Sequence, residues 1–346
     1  MKTYLLVLFI ACQGLVALAQ DNKTPYETKS LANEGIKDVF VETSGGSITV
    51  SGAAGEAPRV ELYIRGNSNS DLSREEIKKR LDADYEVNVT VSNHELHARA
   101  KRKHDGDGWD WRKQLSISFK IYVPKQCNTN LETSGGSIHM DNLSGNEKFG
   151  TSGGSLHLDA LTGAIKGETS GGSIEVSNSG DNISLETSGG SIRANNCNGK
   201  IRLETSGGSL HLDGLKGSIN ANTSGGSVQA NNIEGELITG TSGGSVNLSQ
   251  LSCSLQASTS GGSMHVELLR VGKYVKLDVS GGHVDLKMPA KQGYNLNLSA
   301  NRINPPSSVN NFTGEWEKDH VKGSLNGGGI PVSVDASGQL NLSLSE

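Results

Sequence analysis

Apolar and polar residues alternate in short bursts along most of this chain, and the bursts return every 18 residues. In the unit Thr205 to Asn222, Leu210 and Leu212 alternate with polar neighbours, Leu215 and Gly217 follow, and Ile219 and Ala221 alternate again. A period of two marks a half-buried strand. Each unit therefore predicts two short strands separated at the Gly. Neighbouring units agree position by position: Ile192, Ala194, Cys197, Gly199, Ile201 and Leu203 in one, Val228, Ala230, Ile233, Gly235 and Leu237 in another.

What closes each unit is Thr-Ser-Gly-Gly-Ser. It opens at Thr133 and returns at Thr151, Thr169, Thr187, Thr205, Thr223, Thr241 and Thr259. A worn copy, Val279-Ser280-Gly281-Gly282-His283, follows, and an isolated one stands upstream at Thr43. Strict repetition at a short period is the signature of a solenoid. One unit buries too few aliphatic side chains to offset the entropy of ordering it, so the units must stack. The predicted fold is all-β: a single-chain β-solenoid (β-helix) of 18-residue coils. Right-handed coils are expected, although the alternation itself does not encode the hand. The glycines expected to shape the corners are Gly135, Gly136, Gly153, Gly154, Gly171, Gly172, Gly189, Gly190, Gly207, Gly208, Gly225, Gly226, Gly243, Gly244, Gly261 and Gly262. The expected reason is that Gly enters positive φ without a Cβ penalty.

Outside the array the pattern loosens. Residues 1–19 carry Lys2, an apolar run from Tyr4 and the small-residue site Ala17-Leu18-Ala19, which together read as a secretory signal with a mature start at Gln20. A lipid anchor on Cys12 is the weaker alternative, because Phe9-Ile10-Ala11 is a poor lead-in. Residues 20–130 predict flared N-terminal strands that cap the stack, with one short helix begun by Ser73-Arg74-Glu75-Glu76 and facing inward through Ile77 and Leu81. Residues 131–290 hold the solenoid, and 291–346 its C-terminal coils and cap, ending in the worn copy Ser337-Gly338-Gln339.

Composition fits a small-residue surface protein. Only 4% of residues are aromatic, 45 are Gly, and the net charge is -5, which does not suggest a nucleic-acid binder. No segment after the signal could span a membrane as a helix. Cys197 and Cys253 fall three coils apart, roughly 14 Å, too far for a disulfide. Buried free thiols are the expectation.

The resemblance of the chain is to the bacterial putative-adhesin family, a domain family of unknown function built on SGG-S-[IVL] repeats. It rests on Gly45-Gly46-Ser47-Ile48-Thr49-Val50, Ile121-Tyr122-Val123-Pro124, the array, and Asn326-Gly327-Gly328-Gly329, and it covers nearly all of the mature chain. It implies an exported or envelope-located β-helix with adhesive or structural duty, and it brings no catalytic residues with it.

Candidate chemistry is sparse. His139, His157, His211 and His265 share one outward column, but Glu175, Arg193, Gln229 and Asn247 occupy it elsewhere, as suits a solvated position. A ladder of Glu42, Glu132, Glu168, Glu186 and Glu204 needs cations nearby. Calcium nonapeptides are excluded because Ile, Leu, Val or Met stands where Gly-Gly-x-Gly needs Gly. Phosphate loops are excluded because no Lys-Ser/Thr follows the Gly pair. Threonine ladders of the ice-binding kind want two outward Thr per coil, and this array has one. No carboxylate pair recurs in register, so no enzyme, cofactor or metal is expected. The loop 101–113 differs: Trp109 and Trp111 sit among Arg102, Asp110 and Arg112, a composition suited to gripping a sugar or a protein, or to covering the end of the stack. Partners expected are envelope or host glycans or another envelope protein. A periplasmic scaffold or sensor is the alternative role, and a glycan-active enzyme a more distant one.

Overall fold

The computed structural model describes residues 24–52, 55–67, 72–103, 114–306 and 311–345. The signal segment, Cys12, Trp109, Asp110, Trp111 and Arg112 lie outside the described residues. Among those described there are 27 strands and one α-helix, and the strands hydrogen-bond into one continuous system. The fold is an all-β solenoid.

Two parallel ladders build it. One joins Asn128–Thr133 to Ser144–Thr151, Thr162–Thr169, Asn182–Thr187, Asn198–Thr205 and onward. The other joins Ile138–Asp141 to Leu156–Asp159, Ile174–Ser177, Ile192–Asn195 and onward. In both, a residue pairs with the one 18 positions further on, as Thr151 does with Thr169 and Leu156 with Ile174. Alternation then sends one side chain of each pair inward and the next outward. The inward columns, such as Ile138, Leu156, Ile174, Ile192, Leu210 and Val228, are 0–1% exposed.

Sizes within a column compensate. Phe149 follows Leu131 and precedes Gly167; a Cβ on Gly167 would lie 2.0 Å from Phe149 Cε2, so the ring fills the space that Gly leaves.

The repeat motif is explained residue by residue. Its Thr is buried, at 1–6% exposure along the column, which removes any outward threonine face. The Thr hydroxyl donates to the second-Gly carbonyl of the preceding coil, as Thr205 Oγ1 does to Gly190 O at 2.7 Å. It also accepts from the second-Gly N–H of its own coil, Gly208 N at 3.2 Å. The closing Ser accepts from the backbone N–H of its counterpart one coil on, Ser209 N to Ser191 Oγ at 3.1 Å.

Positive φ, the expected reason for the Gly pair, is found elsewhere. It falls at Asn142, Ala160, Asn178, Asn196, Gly214, Asn232 and Gln250, one corner column, and at Gly163, Gly199, Gly217 and Gly235 in another. Short polar Asn suits the first because it tolerates the left-handed region best after Gly. The second Gly of each pair is needed for close approach: a Cβ on Gly154, Gly172, Gly190 or Gly208 would stand 1.9–2.0 Å from the carbonyl oxygen of the Gly one coil back. The first Gly is roomier, with nothing nearer Gly207 than 3.4 Å.

The isolated upstream copy is the first rung. Asp38–Thr43 pairs with Asn128–Thr133, and Ile48–Gly52 with Ile138–Asp141. The residues between them leave the stack and return on its outer end. There Glu95–Arg102 pairs with Asp38–Thr43 and Leu115–Val123 with Ile48–Gly52, both parallel. Antiparallel strands then end the ladders: Tyr85–Ser92 beside Glu95–Arg102, and Arg59–Gly66 beside Leu115–Val123 with Glu27–Ser30 outermost. The helix Arg74–Asp84, capped by Ser73 accepting from Glu76 N at 3.3 Å, packs here through buried Ile77 and half-buried Leu81. The outermost Glu27–Ser30 is only four residues long, polar and exposed throughout, the kind of short edge that discourages pairing with another chain.

At the far end the last strand is not last in space. Ile330–Ser345 lies between Met264–Val279 and Val284–Pro289 on one side and Tyr294–Asn304 on the other. Its worn copy works as the others do: a Cβ on Gly338 would meet Gly282 O at 1.8 Å. Tyr294–Asn304 continues into the antiparallel strands His320–Leu325 and Phe312–Trp316.

Candidate recognition face

The outer face of the first rungs holds a cluster absent from the repeat consensus. Arg59–Gly66 turns Arg59, Glu61, Tyr63 and Arg65 outward, and its antiparallel partner Leu115–Val123 sets Tyr122, Lys120, Ser118 and Ser116 opposite them in that order. The alternating apolar residues Val60, Leu62, Ile64, Ile117, Phe119 and Ile121 are buried beneath, which fixes the outward set.

Glu61 is the hub. Its side chain accepts from Arg59 Nε at 2.6 Å and from the Tyr63 hydroxyl at 2.8 Å. Burial works to raise its pKa, but the hydrogen bonds from Arg59 and Tyr63 outweigh it, and the carboxyl is held below its ordinary value. Arg59 also pairs with Glu56 at 2.8 Å and sits over the Tyr122 ring, its Cζ 3.8 Å from the centroid. Lys120 Nζ stands 5.1 Å from the same centroid, and its pKa is raised, first by its contact with the Tyr122 hydroxyl.

Beside this network runs a groove of roughly 560 Å³. Tyr63, Arg65, Lys120, Ser47, Thr49 and Ser118 are among the residues that line it. Ser47 N and Oγ both donate to Ser118 Oγ, at 3.0 and 3.2 Å, which ties two of the lining strands together.

The same outward row continues from Lys120 through Thr49 to His139 and His157 on successive strands. The two imidazoles stack 4.6 Å apart at 3°. Burial of a ring face and the neighbouring His157 together lower the His139 pKa. Beyond them come Glu175, Arg193, and His211, which bonds Gln229 at 3.1 Å. Among the described residues no group of three or more His, Cys, Asp or Glu could hold a metal ion.

The glutamate column lies on the other ladder and is largely self-compensating. Glu42 pairs with Arg99 at 3.1 Å and with Lys101, and Glu204 with Arg202 at 2.5 Å. Lys148 and Lys166 line the shallow groove in front of Glu168 and Glu186.

Of the loop 101–113 expected to recognise ligand, only Lys101, Arg102 and Lys103 at its start are described, and Arg102 is the one of the five expected site residues among them. It is exposed at the end of Glu95–Arg102, opposite Tyr85. Cys127, Cys197 and Cys253 are free and buried, with burial pushing Cys127 and Cys253 up to about 12.

Sequence reasoning missed Glu147. It occupies an inward column otherwise filled by Ile165, Ile183, Ile201, Ile219 and Leu237, and is 1% exposed. One oxygen accepts from Thr129 Oγ1 at 2.5 Å and the other has no partner. Burial raises its pKa to about 7. Aligning Gly145-Asn146-Glu147-Lys148 on Gly163-Ala164-Ile165-Lys166 would have exposed it.

Among the described residues, the two-ladder stack with its capped ends is a β-solenoid, and the cluster from Arg59 to Tyr122 is a chemically distinct outer patch on it. The chain belongs to the Toastrack DUF4097 family, whose model matches residues 30–342. No curated protein matches it. Similar solved structures include a "putative cell adhesion protein" from Clostridium sporogenes ATCC 15579, at 11% identity over 92% of this chain and 98% of that one, with a TM-score of 0.19. Another is a "putative adhesin" from Bacteroides fragilis NCTC 9343, at 14% identity over 75% and 95%, with a TM-score of 0.34. A third is a "putative adhesin" from Parabacteroides merdae ATCC 43184, at 15% identity over 76% and 96%, with a TM-score of 0.29.

Proposed function

We propose that the protein is an exported, non-enzymatic, adhesin-like component of the cell envelope. In this reading a rigid stack of 18-residue coils carries a binding face at its N-terminal end. The coil length follows the constant register, and a right-handed winding follows the strong bias of parallel crossovers.

The observation that carries the reading is the Tyr63–Glu61–Arg59–Tyr122 network with its groove. It concentrates rings and charges in an aromatic-poor chain, on elements whose undersides are fully packed. Tyrosine and arginine fixed in this way are typical contact residues, because little side-chain freedom is lost on binding. Glu147, Cys127 and Cys253, whose pKa values burial raises far, are sealed inside the stack, where no substrate could reach them. This favours binding over turnover.

The test is a deletion strain compared with its parent for adherence to glycan-coated and protein-coated surfaces, with fractionation and N-terminal sequencing of the protein. The expected results are reduced adherence, an envelope or secreted location, and a mature start at Gln20. Unchanged adherence together with co-purification of one envelope protein would replace this reading by the scaffold role.

A further inference from the structure

Two imidazoles meet on the outer face where the array begins. The register sets His139 of Ile138–Asp141 directly beside His157 of Leu156–Asp159. Their rings lie parallel, 4.6 Å between centroids and 3° between planes. Both residues are exposed, so an ion from solution can reach them. Beneath them Ile138, Met140, Leu156 and Leu158 are buried, which fixes both histidines outward. Further along the column come Glu175, Arg193, His211, Gln229, Asn247 and His265, so only this step of the column sets imidazole next to imidazole.

Burial, and then the neighbouring His157, lower the His139 pKa. Lowering keeps that ring neutral to a lower pH, and neutral imidazole is the form that binds metal. Two nitrogens on one tetrahedral ion, each at about 2.0–2.1 Å, lie about 3.3 Å apart. Strands about 4.8 Å apart bring the rings close enough for a small swing of one exposed ring to close the difference. The carboxylates two residues further along the same strands are engaged elsewhere: Asp141 accepts from Ser51 Oγ at 2.6 Å and Asp159 from Asn178 Nδ2 at 2.7 Å. The donors on offer are imidazole nitrogens, which suit zinc and copper and do not suit calcium or magnesium.

We propose that His139 and His157 together bind one divalent ion of the zinc or copper class, with water in its remaining positions. Two protein ligands make an exchangeable site, unlike the closed four-ligand sites of structural zinc. Bound there, the ion ties the first coil of the array to the second through side chains, across strands otherwise joined by backbone. The site stands apart from the groove beside Tyr63 and does not depend on an adhesive role.

Calorimetric titration of the purified protein, free of any affinity tag, with Zn²⁺, Cu²⁺ and Mg²⁺ tests this. The expected result is a binding step for Zn²⁺, a tighter one for Cu²⁺ and none for Mg²⁺. Losing a group that merely orients a metal ligand costs about 10–100-fold in affinity, so His139→Gln and His157→Gln, which remove a ligand, should each weaken the step about a hundredfold or more. Gln229 and Asn247 stand in the same column, so the fold accepts an amide there. The step should survive His211→Gln, and also a His265→Gln, His283→Gln double variant that removes the two imidazoles beside Asp285. Zn²⁺ should raise the melting temperature of the parent and of neither single variant. Acid should release the ion, because protons compete for the same nitrogens. Melting temperatures without metal show whether each variant folds, and His139→Asn and His157→Asn replace any that does not. A protein that takes up neither Zn²⁺ nor Cu²⁺ at about 1 mM overturns the proposal. So does a step that both single variants leave unchanged, one lost only in the double variant, or one that Mg²⁺ fills as well as Zn²⁺.

Discussion

Adding one methyl group to the second Gly of a repeat should cost far more than adding it to the first. A Cβ on Gly208 would lie 2.0 Å from Gly190 O, 2.3 Å from its carbonyl carbon and 2.5 Å from Ser191 N. Those atoms are backbone and cannot rotate away. Relief requires neighbouring coils to part locally by about 1 Å, since carbon–oxygen contacts settle beyond about 3 Å. Parting stretches the bonds that cross the gap: Thr205 Oγ1 to Gly190 O at 2.7 Å, Gly207 N to Ser188 O at 3.0 Å, and Ser209 N to Ser191 Oγ at 3.1 Å. Three bonds at roughly 1 kcal/mol each, together with one buried acceptor left unpaired, give about 3–5 kcal/mol for Gly208→Ala. Gly207→Ala meets nothing nearer than Gly189 O at 3.4 Å and Ser188 O at 3.5 Å, ordinary contacts, and should change stability by less than about 1 kcal/mol. Denaturant unfolding of both variants beside the parent, with amide exchange at coils 187–225 to localise the effect, measures the difference. Two variants within 1 kcal/mol of each other, or a costlier Gly207→Ala, would refute the close-approach account of the motif.

Three further outcomes follow from the same geometry. Glu147 is protonated more readily in the fold, with a pKa of about 7, than in the unfolded chain, near 4.5. Its contribution is therefore fully favourable below about pH 4.5 and is lost as pH rises to 7, by about 3 kcal/mol. Melting curves across that range should flatten in Glu147→Gln, and Glu147→Leu, which restores the aliphatic column, should melt higher than the parent at pH 8. Thr205→Val keeps the shape but leaves Gly190 O and Gly208 N without their partner and should cost about 1–3 kcal/mol by the same unfolding assay. A Trp109→Ala, Trp111→Ala double variant should lose adherence with little change in melting temperature; a large drop in melting temperature with adherence intact would assign the loop to capping.

The fold was legible because each repeat states its own strands, and the identity of units 18 apart states that they stack. Legibility ended where a residue's duty depends on the coil beneath it. Gly207 and Gly208 look alike in sequence, and only the carbonyl under Gly208 tells them apart. Phe149 and Gly167 each break their column, and only their pairing shows that they compensate. The Thr-Ser-Gly-Gly-Ser at Thr43 reads as a stray copy until Thr133 is found beside it, 90 residues on. The candidate face was illegible for a related reason. Tyr63 and Tyr122 are far apart in the chain and sit in ordinary strands, and the antiparallel pairing of Arg59–Gly66 with Leu115–Val123 creates their common surface.

The placement of Ile330–Ser345 inside the stack sets an order in time. Most coils can form as they emerge, each settling on the one made just before. Tyr294–Asn304 emerges with no such seat, because the strand that belongs between it and Met264–Val279, Ile330–Ser345, is made after it. An unfinished chain thus carries an open parallel edge and an unattached antiparallel flap, both apolar on one side. Arrival of Ile330–Ser345 closes them. A chain cut before Ile330 would be marked as faulty by that exposed edge, and one that reaches Ser345 would shed the mark as Ile330–Ser345 slides home.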